Sequence, residues 1–255
     1  MTESAIDIVR GFADEAFAQL HERLPVGTTC AAGGGRLGSF YPDSGPLRRE
    51  LYVKHLEFFR GGALHRERLM LAANRIGKTE GIGGYETTLH LTGLYPHWWE
   101  GRRFDRPVRA WAAGRTMTTV RDIVQAKLCG RPARRSGRKA VSGSGLIPAH
   151  LIGDVSWRPG IADLVDTLMV RHAGGGESVL QLKSYEQGSA AFEGTEQDVI
   201  WLDEEPSLAV YAECLVRTMT TKGIVMLTFT PLLGMSEVVM AFLRDRDELL
   251  VVEGE

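Results

Sequence analysis

Apolar and polar positions alternate along this chain in two rhythms, and the changes between them outline its elements. Residues 4–23 set Ile6, Ile8, Val9, Phe12, Ala16, Phe17 and Leu20 near one stripe, the period of an amphipathic helix. Residues 25–46 are rich in Gly, Pro and Ser and read as a loop. A second helix is predicted over 46–60, stopping at Gly61 and Gly62. The apolar run 68–73 has the length of a buried strand and leads directly to Gly77-Lys78-Thr79. From Lys78 a helix is expected to about Leu91, then a strand over 107–113. A helix over 117–129 follows, with Met117, Val120, Ile123, Val124 and Leu128 on one face.

Residues 130–150 show no periodicity and read as an irregular insertion. Segments 167–172 and 178–183 alternate around the Gly-rich stretch 173–177, the pattern of a hairpin. A strand over 198–203, a helix over 207–217, a strand over 223–229 and a helix over 235–245 complete the reading. Strands alternating with helices imply an α/β fold with a mostly parallel central sheet, flanked by helices and joined by right-handed crossovers. At 255 residues one large domain is the default. The division expected is an N-terminal helix and Gly/Pro-rich loop (1–45) ahead of the main domain (46–255).

Composition narrows this only a little. The 44% hydrophobic and 24% charged fractions suit a packed globular core. No run of 18 apolar residues exists to span a membrane, and the acidic start lacks the form of a secretory signal. Cys30, Cys129 and Cys214 are odd in number and widely spaced, which reads as reduced thiols in a cytoplasmic setting. Seven scattered histidines show no metal-binding pair. The formal charge of −2 gives no global nucleic-acid signature, so any contact with DNA must be local.

The chemistry sits at two strand ends. Ala72-Ala73-Asn74-Arg75-Ile76-Gly77-Lys78-Thr79 follows the phosphate-loop pattern with Ala in the first Gly position. Ala73, Asn74, Arg75, Ile76, Gly77, Lys78, Thr79 and Glu80 would surround a polyphosphate. Gly77 lets backbone approach, Lys78 reaches β/γ oxygens, and the Thr79 hydroxyl ligates Mg²⁺. A GKT triplet also occurs by chance as a surface turn with a solvated lysine. Arg75 is either a γ-phosphate contact or a structural ion pair. The buried-strand pattern Val199-Ile200-Trp201-Leu202 ends in Asp203-Glu204-Glu205-Pro206. Asp203 would hold the Mg²⁺ shell and Glu204 would polarise the attacking water, with Arg75 and Lys78 stabilising charge. Glu205 has no assigned task and reads as a solvated acid. The long interval between the halves leaves room for an intervening strand, as in nucleotide hydrolases that carry their own catalytic Glu. Thr228, Phe229 and Thr230 end the next strand; their hydroxyls either sense the γ-phosphate or simply close the strand.

Arg131, Arg134, Arg135, Arg138 and Lys139 place five positive side chains in nine positions. They suit sequence-independent contact with DNA phosphates, or else form a solvated insertion without a partner. Arg102, Arg103 and Arg106 form a smaller cluster, expected to pair with Glu100 and Asp105.

With these motifs assembled, the chain resembles the ATPase domain of the terminase large subunit, the DNA-packaging motor of tailed bacteriophages. The likeness runs over roughly 46–245 and rests on five blocks in order. They are Ala73 to Glu80, residues 90–104 (HLTGLYPHWWEGRRF), Lys183-Ser184-Tyr185-Glu186-Gln187-Gly188, Trp201 to Pro206, and Leu227-Thr228-Phe229-Thr230-Pro231. It implies a RecA-like P-loop NTPase core of the additional-strand, catalytic-Glu class, with ATP and Mg²⁺ as substrate and cofactor. The implied partners are double-stranded DNA, the procapsid portal protein, the small terminase subunit, and further copies of the chain. Self-association into a ring, a pentamer, is expected during packaging, and a monomer in isolation. The implied location is the host bacterial cytoplasm at the portal vertex.

By the same likeness Arg75 matches an Arg of the family's phosphate loop, and Thr228, Phe229 and Thr230 match its coupling segment. Lys54, His55 or Phe58 would lie near the adenine. Two departures stand out. A C-terminal nuclease domain is not expected in a chain that stops at Glu255. No Arg lies between Lys183 and Glu205 to act in trans, leaving Arg115, Arg121, Arg158, Arg171 and Arg217 as candidates. The competing readings are a helicase-like or other nucleic-acid-remodelling P-loop ATPase, and a slow nucleotide-binding assembly module.

Overall fold

A computed structural model of the chain describes residues 36–72, 76–135, 137–230, 236–244 and 250–254. The helix expected over 4–23, Ala73, Asn74 and Arg75 therefore lie outside the described residues.

The chain enters through α1 (Val53–Gly61) and β1 (Glu67–Ala72). A wide π-type segment, Lys78–Gly84, then runs into α2 (Tyr85–Thr92). After β2 (Arg109–Gly114), the segments Met117–Thr119, Val120–Gln125 and Ala126–Leu128 form one continuous helix, α3. β3 (Pro132–Arg135), β4 (Arg138–Val141), β5 (Ile152–Trp157), β6 (Val165–Arg171) and β7 (Glu177–Ser184) follow. β8 (Val199–Asp203), α4 (Leu208–Met219), β9 (Ile224–Phe229), α5 (Glu237–Arg244) and β10 (Leu250–Gly254) end it.

Eight strands form one sheet in the order β10-β1-β9-β8-β2-β7-β6-β5. The run from β10 to β7 is parallel, and β6 and β5 add antiparallel strands at one side. Central strands are covered on both faces, which is why their sequences read as unbroken apolar runs. Leu69, Trp111, Ile200, Leu202, Val225 and Leu227 pack on one side with α4 and α5. Met70, Ala110, Ala112, Trp201 and Met226 pack on the other with Ile82 and Leu89. The helix after Lys78 can lie close to β8 because it is glycine-rich: a Cβ on Gly83 would sit 2.0 Å from Trp201 Nε1.

Several expectations need correction. α1 starts at Val53, not residue 46, because Arg49–Leu51 forms a 3₁₀ turn and Tyr52 (φ −108°, ψ 48°) leaves the helical region. The insertion at 130–150 is not irregular throughout. It carries the β3–β4 hairpin, held by main-chain pairing that needs no apolar rhythm. The edge strands β5 and β10 were unforeseen, since edges bury less side chain than central strands. Glu100 pairs with Arg60, not with the neighbouring arginines. Arg106 instead meets Asp198 (2.7 Å), Arg103 donates to the Trp99 carbonyl (3.0 Å), and Arg102 lies over Phe104.

One buried network escaped the sequence reading. Arg68 and Glu86 pair at 2.7 Å with both side chains fully buried, and Arg68 also donates to the Phe58 carbonyl at 2.8 Å. His90 Nε2 lies 3.2 Å from Glu86, and its Nδ1 meets the Tyr95 hydroxyl at 2.9 Å. The Arg68 cation holds the Glu86 carboxyl below its usual range, while burial lowers His90 and keeps it neutral. Phe58, beneath Arg68, is fully buried. Lys54 is exposed and pairs with Glu57, so His55 alone of the three adenine candidates abuts the phosphate loop.

Candidate nucleotide-binding site

β1, β9, β8, β2 and β7 run the same way, so their C-terminal ends share one edge of the sheet. In open α/β sheets that edge is where ligands bind. Here it gathers Gly77-Lys78-Thr79, Thr230, Asp203-Glu204, Arg115-Thr116 and Ser184-Tyr185.

Gly77 sits at φ +86°, a turn most residues resist, and opens the helix that starts at Lys78. Lys78 is buried, 9% exposed, and its Nζ donates to the Ala72 carbonyl (2.7 Å) and to Thr230 Oγ1 (2.9 Å). Burial lowers its pKa to about 8, opposed by the nearby Asp203. Thr230 Oγ1 donates in turn to the same Ala72 carbonyl at 2.8 Å. Thr79 Oγ1 lies 3.0 and 3.1 Å from the two carboxylate oxygens of Asp203. Thr228 Oγ1 donates to Asp203 Oδ1 at 2.9 Å and accepts from Trp201 Nε1 at 2.8 Å. Burial raises the Asp203 carboxyl to about 7, against the pull of the two threonine hydroxyls. Phe229 points into the core. Of Thr228, Phe229 and Thr230, only the two threonines therefore reach the polar edge.

Glu204 is exposed, with its backbone at φ +63°. Glu205 is half-buried and one carboxylate oxygen is buried without a hydrogen-bond partner, so it is not a freely solvated acid. Glu80 pairs with Lys127 at 2.5 Å and with Arg36, tying the start of the loop helix to α3. Ile76 packs against the core beside the loop. His55 presses on the loop from the other side. Its Nδ1 is 2.7 Å from the Tyr41 hydroxyl, which donates to the Gly81 carbonyl, and burial lowers its pKa to about 4.

The donor set fits Mg²⁺. A hydroxyl and a carboxylate converge on one point, and Mg²⁺ takes one or two protein oxygens, filling the rest with phosphates and water. Among the described residues no cluster of three or more His, Cys, Asp or Glu offers a more enclosed site. Cys129 and Cys214 are buried free thiols; Cys30 lies outside the described residues.

The arginines considered for action in trans separate by position. Arg121, Arg158 and Arg217 pair with Asp122, Asp166 and Glu213. Arg171 pairs in register with Glu177, at the far edge of the sheet. Arg115 directly follows β2 at the site's edge and is exposed. The basic hairpin forms a two-stranded sheet of its own. It sets Arg134 opposite Lys139 and Arg135 opposite Arg138; Arg131, Arg134, Arg138 and Lys139 are exposed, and Lys139 meets Asp163 at 3.0 Å.

The family profile "Terminase large subunit, T4likevirus-type, N-terminal" matches residues 69–251. The terminase large subunit of Salmonella phage P22 is 38% identical over 213 residues, covering 76% of this chain and 41% of that protein. The chain thus spans less than half the length of this relative. The solved large terminase of a thermophilic bacteriophage shares the fold, with a TM-score of 0.53 at 14% identity, over 79% of this chain and 44% of that one. Among the described residues no helix is long and apolar enough to cross a membrane.

Proposed function

This chain belongs to the T4-like-virus-type terminase large-subunit N-terminal family, and we propose that it is the ATP-hydrolysing motor unit that drives double-stranded DNA into a procapsid. The observation that carries the reading is the meeting of Lys78 and Thr79 with Asp203, Thr228 and Thr230 at one strand edge. Backbone N–H groups after Gly77 cradle the phosphates, and the Lys78 ammonium leaves the Ala72 carbonyl and Thr230 for β/γ oxygens. Thr79 and Asp203 hold Mg²⁺, which when bound neutralises charge on the phosphates. Ala73, Asn74, Arg75, Ile76 and Glu80 complete the surround of the nucleotide, with Arg75 stabilising charge on the transferred group. Glu204 orients the attacking water and takes its proton.

Thr228 and Thr230 couple hydrolysis to movement: each shares a hydroxyl with a group that the nucleotide engages, Asp203 or Lys78. The hairpin residues Arg131, Arg134, Arg135, Arg138 and Lys139 contact DNA phosphates without reading sequence. The working assembly is a ring of copies at the portal, with the small terminase subunit, in the host cytoplasm. A neighbour's arginine completing each site would make turnover depend on assembly, by roughly 10³–10⁵-fold.

The test is a pair of substitutions. Glu204→Gln binds ATP with Mg²⁺ but does not turn it over, whereas Lys78→Ala loses both. Wild-type turnover by Glu204→Gln removes Glu204 as the base.

A further inference from the structure

We infer that Tyr185 is a positioning residue that fixes the backbone from which the Glu204 carboxylate is presented. The inference rests on the role given to Glu204 above. Glu204 lies at φ +63°, in the left-handed region where a Cβ crowds the neighbouring carbonyl and where few residues other than glycine settle. Its side chain is exposed, and among the described residues none hydrogen-bonds its carboxylate. Side-chain packing therefore does not aim this acid; its main chain does.

Two contacts hold that main chain. The Glu204 N–H donates to the Thr228 carbonyl at 3.0 Å, continuing the β8–β9 ladder just beyond its last pair, Asp203 with Thr228. On the other side, the Tyr185 hydroxyl donates to the Asp203 carbonyl at 2.8 Å and lies 3.2 Å from the Glu204 carbonyl. Those two carbonyls belong to the peptide planes before and after the Glu204 Cα. One phenol bridging both limits the rotation of one plane against the other, which is the φ/ψ choice of Glu204. Tyr185 is half-buried, and burial pushes its pKa well above the usual phenol value, so it remains a neutral donor.

The phenol is itself held. Tyr185 begins a single 3₁₀ turn, Tyr185–Gln187, and the Ser184 N–H donates to Gln187 Oε1 at 3.1 Å. Glu186 Oε1 accepts from the Met117 N–H at 2.7 Å, and the Glu186 N–H donates to the Arg115 carbonyl at 3.3 Å. The Tyr185 ring packs against Phe192, with centroids 6.4 Å apart. The loop after β7 is thus braced against the start of α3 and reaches across to the end of β8. This gives a task to the Ser184-Tyr185-Glu186-Gln187-Gly188 block, which binds no part of the nucleotide in the scheme above.

The test uses Tyr185→Phe, which keeps the ring and its packing. Single-turnover ATP hydrolysis and the amide hydrogen exchange of residues 203–206 are measured in wild type, Tyr185→Phe, Glu204→Gln and the double variant. The expected result is a drop in kcat of about tenfold for loss of one half-buried hydrogen bond that orients the base. KM and the affinity for a non-hydrolysable ATP analogue stay within about twofold, the Glu204 amide exchanges faster, and the double variant is no slower than Glu204→Gln. Wild-type kcat with unchanged exchange overturns the proposal, as does a loss confined to KM or one that adds fully to that of Glu204→Gln. If Glu204→Gln alone turns over normally, the base assignment fails instead, and the exchange comparison still decides whether Tyr185 holds this backbone.

Discussion

Thr79 Oγ1 lies 3.0 Å from one oxygen of the Asp203 carboxylate and 3.1 Å from the other, across 124 positions of chain. A hydroxyl that meets both oxygens stands on the axis where a hard cation would otherwise sit. The two halves of the site are therefore already closed on each other, and in the proposed scheme Mg²⁺ would have to exchange this contact for its own. This relationship makes the Asp203 carboxyl the most consequential titrating group of the site.

Burial raises Asp203 from 3.8 to about 7 in the folded chain. Between those values the folded protein keeps a proton that the unfolded chain has lost. Stability of the nucleotide-free protein therefore falls as pH rises from about 4 to about 7 and stays reduced above that. Asp203→Asn removes this term, so its Tm advantage over wild type is expected to grow from pH 4.5 to pH 8. A Tm difference that is the same at both pH values argues against a raised Asp203. Because Mg²⁺ needs the carboxylate, metal–nucleotide affinity should also climb over the same window.

Thr228→Val keeps side-chain volume but leaves the buried Trp201 N–H without its acceptor and Asp203 with one donor fewer. The expected cost is about 1–3 kcal/mol, read as a lowered Tm of about 2–4 °C for each kcal/mol at this chain length. An unchanged Tm would mean that Trp201 finds another acceptor.

Breaking the Arg68–Glu86 pair from one side strands a charge in the core. Glu86→Gln or Arg68→Met should each destabilise by about 3–5 kcal/mol, while the double variant loses much less than the sum. Denaturant titration of the four proteins reads the coupling directly. Additive losses would mean that the two side chains do not depend on each other.

Replacing Arg131, Arg134 and Arg138 by Gln should weaken duplex DNA binding and lower the salt slope by about 0.9 for each phosphate no longer neutralised. Stability should hold or rise slightly, since like charges face each other across this hairpin at Arg134 and Lys139. DNA-free ATP turnover is unaffected. Unchanged affinity and slope would return the hairpin to the role of a solvated arm.

The rhythm of residues 68–73, 198–203 and 223–229 sufficed to identify β1, β8 and β9, because strands covered on both faces read as near-continuous apolar runs, broken here only by Arg68 and by the polar positions at the strand ends. Side-chain type marked Lys78, Thr79, Asp203 and Glu204 as candidates, and the fold brings them to one strand edge, where Thr79 meets Asp203 and Lys78 meets Thr230. The Arg68–Glu86 pair, by contrast, consists of two charged residues that nothing local marks as buried. Tyr185 carries no signal of its contact with the Asp203 carbonyl, since a backbone acceptor is present at every residue.

From sequence alone, then, came the α/β class, the strands that bear chemistry and the residue types at their ends. The order of those strands was decided only in three dimensions. β9 follows both halves in the chain yet lies between β1 and β8, and so brings Thr228 to Asp203 and Thr230 to Lys78. Ladder bonds join main chain to main chain and are the same for every residue, so no local window can encode which strand becomes whose neighbour.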